Sequence, residues 1–174
     1  GGSVGLDQVV WTGESGVEQS TAFLKLHYIH ADGMDGYPGA VNVTVTYRLT
    51  NDNALKIDYS ATTEKTTIIN LTNHSYFNLI GGGVGNVLNH EMQLESSELT
   101  EVKPGLIPTG RFVSVAGTPF DFNSPKRIGE HIDDENGQLR LGRGYDHNYV
   151  IKKTTDRVEL FATVYEPTSG RVME

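Results

Sequence analysis

Period-two alternation of apolar and polar residues is the feature that most restricts the fold of this 174-residue chain. It is clearest at residues 40–47, where valines alternate with Asn and Thr up to Tyr47. Such a run places its apolar side chains on one face of a strand. Residues 22–30 and 54–62 alternate in the same way, and the Asn-Asp-Asn at 51–53 indicates a tight turn. The sequence therefore predicts a long antiparallel hairpin from residues 40–47 and 54–62.

The rest of the chain carries further short strand signals and little helix signal. Strands are predicted at residues 66–71, 90–96, 111–115 and 158–165, and a turn running into a strand at 144–151. One short helix is predicted around residues 127–134, because Ser124 can cap it and Pro125 suits a first helical position. Many short strands with almost no helix indicate an all-β sandwich or barrel.

Size and charge narrow the class of protein further. The length is ordinary for one domain, so we expect residues 1–174 to form a single domain. The formal net charge is −8 and the basic residues are scattered, which argues against a nucleic acid or an anionic membrane surface as partner. The chain has no cysteine, which excludes disulfides and thiolate chemistry. A neutral or cationic small ligand fits this composition best.

A dense polar cluster at residues 70–79 is the first candidate site. It follows the alternating residues 66–71 and places Asn73, Ser75 and Tyr76 around His74. A histidine can act as acid, base or ligand near neutral pH, although an isolated histidine on a strand is more often structural. A purely structural strand has no need of this polar density, so His74 is favoured as a functional residue.

A second polar cluster follows Gly144. Asp146 and His147 lie between two tyrosines, Tyr145 and Tyr149, and together they offer acceptors, donors and aromatic faces. Such a set suits a polyhydroxylated ligand. The alternative, left open by these residues alone, is that Asp146 only stabilises the turn after Gly144.

Three other patterns do not predict catalytic chemistry. The separation between His74 and the pair Asp146 and His147 matches no metal-ligand spacing, so no metal site is predicted. Ser75 and His74 are adjacent in a predicted strand and point to opposite faces, which disfavours a nucleophile and base pair. The glycine-rich residues 81–85 lack the Lys-Ser/Thr that follows a phosphate-binding loop, so a flexible loop is the better interpretation.

The residues Thr-Asn-His-Ser-Tyr-Phe-Asn-Leu at 72–79 resemble the signature of the aldose 1-epimerases, the galactose mutarotases. Further segments agree with this family in the same order along the chain. They are residues 1–2, 5–11, 32–39, 45–47, 106–110, 117–122, 144–148 and 165–174. The resemblance therefore covers essentially the whole chain.

The resemblance implies a fold, an activity and a set of site residues. The implied fold is an antiparallel β-supersandwich of the galactose mutarotase type, here incomplete at both ends. The implied activity interconverts the α and β anomers of free aldoses, such as galactose or glucose, without a cofactor. His74 matches the family's general acid, and Asp146 matches the carboxylate that binds sugar hydroxyls. Asn73, Tyr76 and His147 are expected to bind substrate as well, and no metal is expected.

Several parts of the family pattern have no match in this chain. An Arg- and Asn-containing motif and a substrate-binding His of the family would lie before Gly1. The family's general base is a Glu in a Pro-Gly-Glu segment near its C-terminus, and Glu166, in Tyr-Glu-Pro, is not that residue. We therefore expect the central part of a mutarotase, with the acid but without the base, and no activity from the isolated chain.

Three interpretations remain open at this point: part of a mutarotase, a non-catalytic carbohydrate-binding module, or a structural fragment of the same fold. An aldohexose is the expected small-molecule partner, and no nucleic acid or membrane partner is expected. Exposed strand edges favour self-association or pairing with missing segments. A cytoplasmic location is favoured over a periplasmic or secreted one.

Overall fold

The structure is a computed structural model that describes residues 4–174, so the Gly1–Gly2 pair of the resemblance lies outside the described residues. The chain divides into two compact units, one ending at His74 and the other comprising Ser75–Glu174. The strands of both units pair in antiparallel fashion, which confirms the predicted all-β antiparallel fold class. No helix within residues 4–174 has the length and apolar character of a membrane span.

The first unit is a four-stranded antiparallel meander. Its strands are β1 (Thr12–Glu18), β2 (Thr21–His30), β3 (Val41–Leu49) and β4 (Leu55–Thr63), in the spatial order β1-β2-β3-β4. The predicted strands at residues 22–30, 40–47 and 54–62 are confirmed, as is the hairpin made by the last two. Strand β1 was not predicted, because its sequence contains a single apolar residue, Val17, and all of it is exposed.

The alternation in β3 gives this sheet one apolar face. The buried core of the unit consists of Val41, Val43 and Val45. Trp11 and Leu71, which lie outside the strands, pack against these valines from the segments before β1 and after β4. Burial of apolar side chains on one face of the meander is the main stabilisation that such a sheet gains over the unfolded chain.

The segment after β4 is irregular. Residues 64–90 contain no helix and no strand, so the strand predicted at 66–71 is wrong. Leu71 packs on the valine core, but Ile68 is 76% exposed and Ile69 is exposed as well. The apolar residues of this stretch therefore do not share one buried face, and β4 pairs only with β3 among the described strands. Residues 70–79, the candidate polar cluster, lie entirely within this segment.

The second unit contains a small sheet and a separate hairpin. The sheet has the order β10-β9-β5-β8, with β5 (Glu91–Leu94), β8 (Lys126–Arg127), β9 (Ala162–Glu166) and β10 (Arg171–Met173). The hairpin joins β6 (Glu98–Lys103) to β7 (Ile107–Ser114), with a shift of register between Thr100 and Val102. The strands predicted at 90–96, 111–115 and 158–165 each overlap one of these strands but have different bounds.

The helix predicted at residues 127–134 is wrong. A single 3-10 turn spans Ile128–Glu130, because the Ile128 and Gly129 amides donate to the carbonyls of His90 and Leu88 rather than continuing a helix. The α-helix of this unit, α1, spans Gly137–Gly142 instead. Its N-cap is Asn136, whose side-chain oxygen accepts hydrogen bonds from two amides of the first turn.

The core of the second unit packs against one side of the second polar cluster. It consists of Leu99, Val115, Phe120 and Leu139, with Tyr145 and Tyr149 packed against it. The predicted turn after Gly144 is present, since Gly144 has a φ of 126°. The strand predicted after it is reduced to an isolated bridge between Tyr149 and Leu99.

Candidate active site

Asn73 and His74 lie in the irregular segment of the first unit. Asn73 is partly buried, and its Nδ2 donates a hydrogen bond of 3.3 Å to the hydroxyl of Tyr47 on β3. This bond joins the segment to the sheet at the residue next to His74. His74 itself is exposed, so its imidazole is accessible to a ligand.

Tyr76 and Asn78, the next polar residues of the cluster, begin the second unit and have different surroundings. Tyr76 is 88% exposed and presents both an apolar ring and a hydroxyl to solvent. The Asn78 side chain is directed into its own loop, where it accepts a hydrogen bond from the Ile80 amide and donates one to the Val84 carbonyl, both at 3.1 Å. Asn78 thus shapes the loop.

Two partly buried tyrosines hold the second polar cluster in place. The hydroxyl of Tyr145 donates to the Pro119 carbonyl at 3.1 Å, and that of Tyr149 donates to the Phe120 carbonyl at 3.0 Å. Burial raises the pKa of Tyr145 to about 12, and burial raises the pKa of Tyr149 as well. Both phenols therefore stay protonated and act as fixed donors rather than as proton-transfer groups.

His147 points to the same side as these tyrosines. Its Nε2 lies 3.2 Å from Oε1 of Gln138 on α1, and its ring makes an edge contact with Phe120. The Gln138 amide is fixed by Val102, whose N–H donates to Oε1 and whose carbonyl accepts from Nε2, each at 3.0 Å. Since Oε1 is an acceptor, His147 carries its proton on Nε2. Burial lowers the pKa of His147, and the charge of Asp146 opposes this shift.

Asp146 and Asn148 point the other way, because the segment is extended and side chains alternate between its faces. Both are exposed, and Asn148 donates from Nδ2 to the Thr100 hydroxyl at 3.0 Å. The backbone turn before them is closed by the Gly144 amide, which donates to the Leu139 carbonyl. Asp146 is thus presented to solvent on a segment whose partly buried residues Tyr145, His147 and Tyr149 are held by hydrogen bonds.

A cleft of about 180 Å³ lies in the first unit, near the beginning of the polar cluster. Asn70 and Leu71 contribute to its lining, together with a close pair in which His30 Nε2 lies 3.3 Å from an Asp35 carboxylate oxygen. His74 and Asn73 are not among its lining residues. Within residues 4–174, no group of three or more His, Cys, Asp or Glu side chains is arranged to hold a metal ion.

Comparison with known proteins assigns the family. The sequence profile of the family described as aldose 1-epimerase matches residues 1–174. The chain belongs to the aldose 1-epimerase family. It is 38% identical to the galactose mutarotase of Sus scrofa over 177 residues, an alignment that covers 100% of this chain and 48% of the relative. It is also 38% identical to the aldose 1-epimerase of Escherichia coli K12, covering 95% of this chain and 46% of that protein.

Solved structures of the aldose 1-epimerase family have the same fold. The galactose 1-epimerase from Lactobacillus acidophilus NCFM superposes with a TM-score of 0.82 at 29% identity, over 92% of this chain and 46% of that structure. An aldose epimerase homologue from C. elegans gives a TM-score of 0.75 at 30% identity. This likeness agrees with the all-β sandwich expected from the sequence. The chain spans about half the length of the curated relatives it matches.

Some residues that shape the two clusters had no signal in the sequence. Tyr47 was predicted to lie on the apolar face of its strand, but not to bond Asn73, which is 26 residues away. Gln138 lies in a helix that was not predicted, and it binds Val102, 36 residues earlier. Periodicity identifies faces of strands, whereas contacts over such separations depend on the folded topology.

Proposed function

We propose that this chain is part of an aldose 1-epimerase that interconverts the α and β anomers of free aldoses such as galactose or glucose. The observation that carries the proposal is the match of the family profile to all 174 residues. The relatives named galactose mutarotase support galactose as a substrate. The match extends through both units, which supports the expectation that residues 1–174 belong to one domain.

Anomer exchange requires a general acid and a general base that act on two different oxygens of the sugar. The base removes the proton of the anomeric hydroxyl while the acid protonates the ring oxygen, so the C1–O5 bond breaks and the anomeric oxygen becomes a carbonyl. Rotation about C1–C2 and the reverse transfers then close the other anomer. His74 is the proposed acid, and its exposure supports this role because a sugar can reach it. The proposed base is a carboxylate outside these 174 residues.

The other predicted site residues have distinct proposed roles in binding. Asp146 accepts hydrogen bonds from sugar hydroxyls, for which an exposed carboxylate on a rigid segment is well suited. Asn73 and Tyr76 supply an amide and an amphipathic ring. His147 contributes by holding the segment that presents Asp146, since its Nε2 is bonded to Gln138.

Polarimetry on freshly dissolved α-D-galactose and α-D-glucose tests the proposal. We expect the full-length protein that contains these residues to accelerate mutarotation, and His74→Ala to reduce kcat by about 10²- to 10⁴-fold, the usual contribution of a general acid. The matched control is His131→Ala, which changes a histidine of the second unit whose side chain is 41% exposed and should leave the rate unchanged. Asp146→Asn should raise KM, whereas Asp156→Asn, on another exposed loop, should not.

The same assays separate the alternatives. The isolated 174-residue chain should give no acceleration above the spontaneous rate, and activity equal to that of the full-length protein would refute the assignment of the base to a residue outside it. Calorimetry that detects sugar binding by a full-length protein without turnover would favour a carbohydrate-binding module. Absence of both binding and turnover would favour a structural role.

A further inference from the structure

Asn148 is the second polar side chain on the exposed face of the segment that carries Asp146. Exposure alternates along residues 145–149, so Asn148 lies on the same face as Asp146, two positions further along the chain. Its Nδ2 donates to the Thr100 hydroxyl at 3.0 Å, and its Oδ1 accepts no hydrogen bond from residues 4–174. One end of this amide is therefore held by the protein, while the oxygen at the other end is open to a ligand.

The backbone of this segment is held without the Asn148 side chain. The Thr100 amide donates to the Asn148 carbonyl at 2.8 Å, and the Val150 amide donates to the Glu98 carbonyl at 2.9 Å, so the segment pairs with β6. The Val150 carbonyl also accepts from the hydroxyl of the buried Ser96 at 2.7 Å. The side-chain bond from Asn148 to Thr100 thus repeats a link that the backbone already makes. Its distinct effect is to fix the direction of the amide group.

Asp146 and Asn148 offer different hydrogen-bonding groups to a sugar. An ionised carboxylate only accepts hydrogen bonds, whereas a side-chain amide accepts through its oxygen and donates through its nitrogen. Asn148 keeps one N–H that Thr100 does not use, in addition to Oδ1. A sugar hydroxyl is both a donor and an acceptor, so it can pair with either end of this amide.

The spacing of the two side chains favours contact with two different hydroxyls. Side chains two residues apart on an extended segment stand about 6.6 Å apart. A single hydroxyl oxygen that makes hydrogen bonds of about 2.8 Å reaches two partners no more than about 5.6 Å apart. One hydroxyl therefore does not bridge Asp146 and Asn148, whereas a sugar ring carries several hydroxyls that can be shared between them.

We propose that Asn148 binds, through Oδ1, a sugar hydroxyl that Asp146 does not bind, and that Asn148 thereby contributes to discrimination among aldoses. Thr100 is a positioning residue for Asn148, because its hydroxyl fixes the direction of the amide. This inference rests on the proposed function and on the proposed role of Asp146. It concerns residues of the second unit alone.

Polarimetry of the full-length protein on D-galactose and its monodeoxy analogues, which lack the hydroxyl at C2, C3, C4 or C6, tests this inference. Asn148→Ala should raise KM for galactose by about twofold to tenfold, the usual net contribution of one hydrogen bond. The kcat should change little, since the bond is made equally in the ground state and the transition state. For the analogue that lacks the hydroxyl bound by Asn148, the variant and the wild type should have the same KM.

Three further variants serve as controls. Asn51→Ala, which changes an exposed asparagine in the turn between β3 and β4, should leave KM unchanged for every sugar. Thr100→Val keeps the shape of the side chain but removes the acceptor for Nδ2, so it should give a smaller rise in KM that is absent for the same analogue as in Asn148→Ala. Asp146→Asn should have its KM effect abolished by a different analogue.

The pattern of KM values decides between binding and a structural role. A rise of the same size for galactose and all four analogues would show that Asn148 acts only through the fold of its segment, and this would overturn the inference. An unchanged KM for galactose would overturn it as well, and so would selection of the same analogue by Asn148→Ala and Asp146→Asn.

Two remaining outcomes have their own interpretation. If Asn148→Ala does not fold, Thr100→Val decides by the same comparison: a rise in KM that one analogue abolishes supports the inference, and a uniform rise or no rise overturns it. Failure of the proposed function is recognised separately, because the wild-type full-length protein would then accelerate the mutarotation of none of these sugars, and the inference would fail with it.

Discussion

At the scale of single residues, the polar side chains that hydrogen bonds and burial constrain most are not those proposed to contact the sugar. His147, Tyr145 and Tyr149 are held by hydrogen bonds to Gln138 and to backbone carbonyls. Burial lowers the pKa of His147 and raises the pKa of both tyrosines, so it favours the neutral form of each side chain. Asp146 shares their segment and points to solvent. The rigidity of the proposed binding carboxylate therefore comes from neutral side chains beside it.

The lowered pKa of His147 predicts a specific dependence of stability on pH. An unfolded histidine has a pKa of about 6.5, so as the pH falls the unfolded chain takes up this proton before the folded chain does. The stability that the fold gains from keeping His147 neutral is fully present above about pH 6.5, and it is lost as the pH falls from there toward the pKa of His147 in the folded chain. Urea denaturation should give a larger free energy of unfolding at pH 7.5 than at pH 5.5, with a smaller difference in His147→Gln.

His131→Gln is the control for this measurement. His131 is a histidine of the same unit whose side chain is 41% exposed, and its removal should leave the difference caused by His147 in place. The ionised carboxylates with the lowest pKa values, Glu159 and Glu166, titrate well below pH 5.5 and do not contribute in this window. A pH difference in His147→Gln equal to that of the wild type would show that His147 is not the responsible group.

At the scale of elements, the short helix α1 is the support of the second polar cluster. Gln138 in its first turn binds both His147 and Val102, and the helix is begun by Asn136, whose Oδ1 accepts from the Gln138 amide at 2.8 Å and the Leu139 amide at 3.4 Å. A six-residue helix has too little intrinsic stability to form without such a cap and tertiary contacts. The cap therefore supports the contacts of Gln138 with His147 and Val102 as well as the helix itself.

Removal of this cap should be measurable. Asn136→Ala should lower the free energy of unfolding by about 0.5–2 kcal/mol, because two amides of the first turn lose their acceptor. Asn136→Asp retains the acceptor and should be close to wild type. Urea denaturation followed by near-UV circular dichroism checks both, and an Asn136→Ala variant as stable as Asn136→Asp would contradict the role of the cap.

The elements also show which parts of the fold the sequence could predict. The strands at 22–30, 40–47 and 54–62 were predictable because a meander needs only alternation and local turns, such as the one in which the Thr50 amide donates to the Ala54 carbonyl. The absence of a helix at 127–134 was not predictable, because the amides of Ile128 and Gly129 donate to the carbonyls of His90 and Leu88, far away in sequence. Propensity is overridden wherever a distant partner takes the backbone hydrogen bonds.

The candidate site follows the same rule. His74 and Asp146 were selected from local polar density and from the family resemblance, both of which are visible in the sequence. The contacts of their neighbours were not, since the bond from Asn73 to Tyr47 and the bond between Gln138 and Val102 join residues separated by 26 and 36 positions. Polar residues that carry out chemistry can be identified from the local sequence. The residues that position them cannot, because their contacts form only in the folded topology.

At the scale of the whole molecule, the sheet of the first unit has two different faces and two outer strands. On the apolar face, Leu49 and Leu55 form a directly opposed pair across β3 and β4 and are 58% and 51% exposed. The other face is more polar, with an ion pair between Arg48 and Asp58. Exposed apolar side chains beside an outer strand favour association through that strand and its apolar face.

We expect this chain to self-associate through the exposed end of the apolar face. Leu55→Lys places a charge there and should shift sedimentation-velocity profiles toward the monomer at concentrations where the wild type forms larger species. Ser60→Lys is the matched control, because it adds the same charge to the same strand on the opposite face. An equal shift toward the monomer in both variants would contradict association through the apolar face, because either change reduces the net charge of −8 and its repulsion and so cannot by itself disfavour association. A monomeric wild type would instead show that this face remains solvated in the isolated chain.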